Sequence, residues 1–408
     1  MMIQRVSCKR LPVAIVLALS TGVTLAENDP WYLGVSQAIS YNTNVFRQID
    51  QFAQASWWSS TSLVGGFDQR YGRQRFFGSG NVAANVYGQV NSLDNTSYAL
   101  NAGWDWETVE RLSGRLYASY SQNLADYGGF NVSLQNQKNI QDSGLLEATV
   151  NYGLLSLLLA DVRVAYSTVH YSLQSYDQYE LDQASIQARL RKQFSGQLTA
   201  GGGIAYTSGD YFATGQEFDR YDLFATFNWS VTGQSSLSGR IGYRWTEYTG
   251  VDPYSQDGIA GWFVWSYTPT GKLKFDTILS YDTQANSVFT SVGGGSTSGL
   301  GQNQWLTAGL QVNATYAFSA KTSFNAALQF FRQKRDQVVN GSGQLIAFDS
   351  RNQVTNLQLG GTWTPSRNWQ VQCNLTLNDR NLSGSVNPFS LLPYSAYGGS
   401  CSAQFVLQ

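Results

Sequence analysis

From Trp31 onward, apolar and polar residues alternate one by one in runs of about ten to fifteen, each run ending in a turn. Residues 95–107 show the pattern. Tyr98, Leu100, Ala102, Trp104 and Trp106 fall on one face, and Ser97, Ala99, Asn101, Gly103, Asp105 and Glu107 on the other. Successive side chains of a strand point to opposite faces, so each run predicts a strand with one apolar and one wet side. About eighteen such strands are expected, beginning near Trp31, Ser56, Gln74, Asn95, Ser113, Asn139, Leu159, Gln178, Gln197, Glu217, Ser235, Asp257, Gly271, Asn303, Lys321, Ser350, Trp369 and Tyr397. A count of sixteen also fits. No helical stretch is available to cover either face. The expected fold is therefore all-β, a transmembrane antiparallel up-and-down β-barrel with lipid outside and water inside.

The connections carry a second signal. Short ones are expected at residues 70–73, 107–112, 152–157, 194–196, 232–234, 268–271, 319–320 and 364–368. Long ones are expected at 42–55, 125–138, 208–216, 284–302, 336–349 and 379–396. Tight periplasmic turns alternating with long external loops are a property of outer-membrane barrels. Residues 293–301 are rich in glycine but lack the Lys-Ser/Thr ending of a phosphate loop, and no helix pattern follows. They read as part of an external loop.

Composition agrees with a membrane barrel. Charged residues make up 13% of the chain, against about 25% in a typical soluble domain. Tyr (24), Phe (21), Trp (12) and Gly (40) are abundant. The longest apolar run of the barrel region, near residues 154–160, is far short of the about 20 residues a spanning helix needs. A large soluble β-sandwich or solenoid is the competing fold. There is no basic run or basic helix, so nucleic acid is not an expected partner. Residues 1–26 read as a secretory signal: Arg5, Lys9 and Arg10 precede an apolar core at 11–25, and Ala26 supplies the small residue before cleavage. The barrel then occupies residues 27–408, and its expected location is the outer membrane of a Gram-negative bacterium.

Strand phase sorts the charges. A cation facing the bilayer midplane costs about 2–4 kcal/mol, so Arg115, Arg163, Arg189, Arg191, Arg240, Arg244, Lys272 and Lys274 are assigned to the lumen. Most lie near short turns, toward the periplasmic mouth. They form either a basic vestibule for an acidic polymer or ion pairs with Asp105, Glu107, Glu147, Asp161 and Asp276 on neighbouring strands. Other inward positions are mostly Gln, Asn, Ser and Thr, such as Asn356, Gln358, Thr362, Gln370, Gln372, Asn374 and Thr376. Inward Tyr117 and Trp262 are placed to stack on sugar rings or to pack against a loop folded into the lumen.

Cys373 and Cys401 sum to 774, twice the midpoint (387) expected for the last hairpin. They should therefore face each other, both outward, at a separation close to disulfide range in an oxidising compartment. The lone histidine, His170, is placed outward near the external rim, where packing at the interface is expected. Without a second histidine or a spacing that singles out paired carboxylates, no catalytic site, metal site or cofactor is assigned.

Tyr41-Asn42-Thr43-Asn44-Val45-Phe46-Arg47 resembles the opening motif of the β-barrel porin 2 family, and in particular the EpsL-type outer-membrane proteins of exopolysaccharide gene clusters. Asp68-Gln69-Arg70-Tyr71-Gly72-Arg73-Gln74-Arg75, Trp104-Asp105-Trp106 and Ser400-Cys401-Ser402-Ala403-Gln404-Phe405 are similar too. The resemblance implies a conduit or export component for a secreted polysaccharide. The partners it implies are the polymer, outer-membrane lipids, a periplasmic polysaccharide-export protein and the barrel-assembly machinery. It implies no catalytic residues. The last residue is Gln408 rather than an aromatic, a departure from the common barrel ending.

The motif residues also have local readings. Asn42 and Asn44 suit Asx-type turns. Arg70, Arg73 and Arg75 crowd a tight turn where lipid phosphates would sit. Three functional classes follow: the polysaccharide conduit, a general diffusion porin for small solutes, and a non-conducting structural or adhesion barrel. A long loop folded into the pore favours the diffusion porin.

Overall fold

The computed structural model describes residues 30–127, 136–154, 156–250, 253–282, 306–341, 344–384 and 392–407. The expected signal segment and glycine-rich loop lie outside these residues. Eighteen strands run in chain order: β1 Trp31–Asn42, β2 Ser56–Tyr71, β3 Gln74–Tyr87, β4 Asn95–Glu107, β5 Leu112–Leu124, β6 Ile140–Leu154, β7 Leu158–Tyr171, β8 Leu181–Gln193 and β9 Leu198–Tyr211 form the first half. They are followed by β10 Gln216–Thr232, β11 Ser235–Gly250, β12 Tyr254–Thr270, β13 Leu273–Asp282, β14 Leu306–Ser319, β15 Thr322–Gly341, β16 Gln344–Trp363, β17 Trp369–Gly384 and β18 Tyr394–Leu407. Each pairs antiparallel with its sequence neighbours, and β1 also pairs with β18 over ten residues from Leu33↔Leu407 to Asn42↔Gly398. The sheet therefore closes on itself. Closure satisfies the backbone of every strand without an edge, which an apolar membrane interior demands.

Alternation sets the two faces. Leu33, Val35 and Ile39 on β1, Leu100 on β4, Ile186 and Leu190 on β8, and Leu223 on β10 all point outward and stay exposed, as lipid-facing residues should. Exposed aromatics gather toward the two ends. Trp31, Phe76, Trp265, Phe324 and Trp369 mark the short-turn end, and Tyr41, Trp57, Tyr281 and Tyr397 the other. At the outer end, Tyr120 donates its hydroxyl to Asp142, Tyr166 to Asp182, Tyr206 to Asp219 and Tyr243 to Asp257. Each pair sits on the outer wall, so the polar tip of the tyrosine meets headgroup depth while its ring stays in the apolar layer. With this wall and this closure, the chain is an outer-membrane protein.

Most strand starts fall within three residues of the pattern. The larger departures are all at the outer end. Residues 208–216 were expected as a long loop, but β9 and β10 continue to Tyr211↔Gln216 and meet in a four-residue turn whose Gly215 has φ 62°. Residues 336–349 were also expected as a loop. Instead β15 and β16 pair without a break from Thr322↔Trp363 to Gly341↔Gln344. Their polar composition resembles a loop because this part of the ladder stands beyond the lipid, where the apolar face is not required. The strand of β17 likewise runs on to Gly384.

Cys373 and Cys401 are directly opposed on β17 and β18 and joined by a disulfide, with Cα atoms 4.1 Å apart. His170 faces outward as expected, but its neighbours are acidic. Its Nδ1 lies 3.6 Å from Glu180 and its Nε2 3.4 Å from Asp182.

Candidate functional site: the bore and its outer mouth

The lower bore is wet. Asn81, Arg115 and Gln370 point inward yet remain exposed, and Gln372 and Asn374 are half-exposed. Tyr117 and Trp262 also point inward, opposite Glu147 and Arg240 respectively.

The lumenal cations form a chain of ion pairs around the wall. Asp68 takes two hydrogen bonds from Arg75, which also reaches Asp105. Asp105 takes a second bidentate pair from Arg115. Arg75 and Arg115 both lie over the ring of Phe77, at 4.8 and 5.6 Å. Arg163 pairs with Glu147, Arg189 and Arg191 share buried Asp161 at 3.0 and 2.8 Å, and Lys274 meets Asp276 at 2.8 Å. Asp222 binds Arg240 and Arg244, and Arg244 also binds Asp282 on β13. Arg240 reaches back to Gln187 on β8, and its guanidinium stacks 3.6 Å above Phe224. That stack needs Gly203: a Cβ there would meet the Phe224 ring at 2.8 Å.

Paired in this way, the cations do not present a bare basic surface. Glu107 takes no part in these pairs, whereas Asp222 and Asp282, which pattern reading did not single out, carry the densest part. Their signal was present: residue 222 lies on the inward phase of β10, directly opposite Arg244. Lys272 is a correction. It lies in the two-residue turn between β12 and β13, after Thr270↔Leu273, and so lines no part of the bore. The two-residue hairpin removes the strand position the alternation had given it.

The crowded turn at 70–75 also resolves. Arg75 is drawn into the lumen by Asp68. Arg73 donates to the carbonyl of Thr108 on the adjacent turn, at 2.6 Å. Arg70, opposite Arg75, is exposed at the strand end. Only Arg70 and Arg73 stay at the periplasmic rim.

The outer mouth is narrowed by loops folded inward. After Tyr41, whose ring faces out, Asn42 accepts a hydrogen bond from the backbone N–H of Asn44 at 2.8 Å, forming the expected Asx turn. Asn44 is fully buried. Its amide donates to the carbonyls of Gln48 and Ser395, and its carbonyl oxygen accepts from the N–H of Gln48. Arg47 takes a left-handed φ of 53° and donates to Asn42 and to the carbonyl of Asn44, at 3.1 Å each. Phe46 packs with Tyr87, Leu93 and Tyr127, which belong to three different loops or strand ends. A second cluster lies close to the first, where Tyr176 and Tyr179 pack against Tyr171 and Leu173, and a third gathers Leu181, Phe218 and Tyr248. Burial raises the Tyr127 hydroxyl to about 12 and the Tyr176 hydroxyl still further.

No group of acidic, histidine or cysteine side chains able to hold a metal occurs among the described residues. No family model matches the chain, and no curated protein matches it. Among solved structures, the apoprotein form of the FrpB iron transporter of Neisseria meningitidis aligns with a TM-score of 0.51 at 10% identity, covering 90% of this chain and 63% of that one. This chain thus spans less than two thirds of the FrpB chain, and the likeness is one of fold. The outer-membrane protein opdK of Pseudomonas aeruginosa aligns at 0.49 and 13% identity, covering 92% and 99%. OccK3 of the same organism aligns at 0.47 and 14%, covering 92% and 95%.

Proposed function

We propose that this chain is an outer-membrane channel for small hydrophilic solutes. The observation that carries the reading is a wet, polar bore narrowed at its outer mouth by a loop folded inward around Asn44. A barrel of this strand number is wide enough to hold water. Inward-folded loops then set the size of what passes. Export of a polysaccharide is the reading implied by the resemblance at Tyr41–Arg47. Against it, Asn44, Phe46 and Arg47 hold the constricting loop in place, and the space they fill is space a polymer would need.

The test is reconstitution of the folded protein into planar bilayers and into liposomes loaded for swelling assays with mono-, di- and larger oligosaccharides. Discrete conductance with swelling that falls off as sugar size increases is the expected result. A folded barrel that neither conducts nor admits monosaccharides leaves only a structural role. Retention of polymer in the periplasm of a deletion strain, with uptake of small solutes unchanged, restores the export reading.

A further inference from the structure

Two arginines at the outer mouth differ from the carboxylate-paired arginines of the bore described above. Arg380 lies near the outer end of β17, in register with Val354 on β16 and Tyr394 on β18. Its side chain points inward and is 3% exposed, and its Nε has no hydrogen-bond partner. Its guanidinium carbon stands 5.1 Å from the centroid of the Tyr394 ring. Arg47, on the inward loop, approaches the same ring at 5.7 Å. The carboxylate of Asp126 lies 4.0 Å from Arg47. Asp379 is adjacent in sequence to Arg380 but points to the outer wall, where it accepts from Ser395 and Asn381. Residues 128–135 and 385–391, which follow Asp126 and the end of β17, contain no Asp or Glu.

Burying a guanidinium without an acceptor is unfavourable. Elsewhere in this barrel the chain answers each lumenal arginine discussed above with a carboxylate. Here it supplies two guanidiniums, one shared aromatic face and one carboxylate. The position is open to solvent: the side chains of Arg47 and Asp126 are 19% and 38% exposed. We propose that Arg47 and Arg380 form a subsite for an oxyanion, the carboxylate or phosphate group of a small solute passing the outer constriction. The forked donors of arginine suit such groups. Asp126 keeps the site from holding an anion tightly, and a channel requires binding weak enough to release. The inward orientation sets the site apart from lipid phosphates, which meet the outer wall. The proposal rests on the channel reading and names the solute class.

The test uses the full, folded barrel in detergent, with inorganic phosphate as the probe and chloride matched for ionic strength. Two readouts are taken: the temperature at which the folded, fast-migrating band is lost on gels, and phosphate-dependent block of single-channel current. Phosphate should raise the first and produce the second. Both effects should weaken by about tenfold in the phosphate concentration needed when Arg380→Gln removes a charged donor. Arg47→Asn, which keeps a residue tolerant of the left-handed backbone, should weaken them similarly. Lys272→Gln, in the turn outside the bore, should leave them intact. If Arg380→Gln gives no folded band, Arg47→Asn and Arg380→Lys decide. The subsite is overturned if phosphate has no more effect than chloride, or acts equally on the wild type and the folded arginine variants. A wild type that responds in melting but never conducts sinks the channel reading and leaves the subsite standing. A wild type that conducts without responding does the reverse.

Discussion

The cations of the inner bore and the two arginines at the outer mouth differ in how their charge is balanced. In the bore, Asp161 serves Arg189 and Arg191, Asp105 serves Arg75 and Arg115, and Asp222 serves Arg240 and Arg244. These strands bring opposite charges to opposed or diagonal positions, and the resulting pairs brace the wall. At the mouth, Arg380 and Arg47 share one aromatic ring and a single carboxylate, Asp126, which lies against Arg47. The comparison teaches that a lumenal arginine is structural or available according to its partner, not its type. The most buried pairs are also the most consequential, because removing one member strands the other away from water.

The strongest test of the balanced set is Asp222→Asn. It leaves Arg244, whose side chain is 6% exposed, with Asp282 alone, and leaves Arg240 with Gln187. Stability should fall by about 3–5 kcal/mol, read as a lower urea midpoint for unfolding from lipid vesicles. An unchanged midpoint would show that the pairs do not brace the wall. The next effect asks whether placement matters more than charge. Ile241→Arg, on the lipid face, should cost about 2–4 kcal/mol near the midplane, and Asn356→Arg, on the lumenal face, should stay within about 0.5 kcal/mol. Equal losses in the same assay would undo the assignment of faces.

At the mouth, Asn44→Ala removes three side-chain hydrogen bonds that fix the inward loop. A local loss of about 1–3 kcal/mol is expected. It should appear as a larger or noisier single-channel conductance, with little change in the unfolding midpoint of the barrel. The smallest effect is on pH. The Tyr127 hydroxyl donates to the carbonyl of Gln137 and accepts from the N–H of Asn139, and burial raises it to about 12. A phenol in the unfolded chain ionises near 10. The folded value is the higher one, so this contribution is complete below about pH 10 and is lost as pH rises toward 12. Proteolysis of the mouth loops in that range should therefore increase more in the wild type than in Tyr127→Phe, where the other buried phenols of the mouth still ionise. Identical profiles would remove Tyr127 from the account.

Much of this was legible from alternation. The inward placement of Arg240 and Arg244 follows from the outward run of Ile241, Tyr243 and Trp245, because a strand allows no other arrangement. The disulfide followed from hairpin symmetry about residue 387. Lys272 was misplaced because alternation does not register where a two-residue turn interrupts it. Arg380 escaped notice although it continues the inward series Gln370, Gln372, Asn374, Thr376, because the polar residues around it resemble loop.

What the sequence determined by itself is the barrel: an approximate strand number, the wet and apolar faces, and the charges that must turn inward. Those follow from the two-residue period of a strand and from the cost of polar groups in lipid, both local rules. The tertiary structure alone decided which carboxylate meets which arginine, how the Asn44 loop enters the bore, and why Arg47 and Arg380 share one ring. These contacts join residues up to some 350 positions apart, and only closure of the barrel through β1 and β18 brings such residues together.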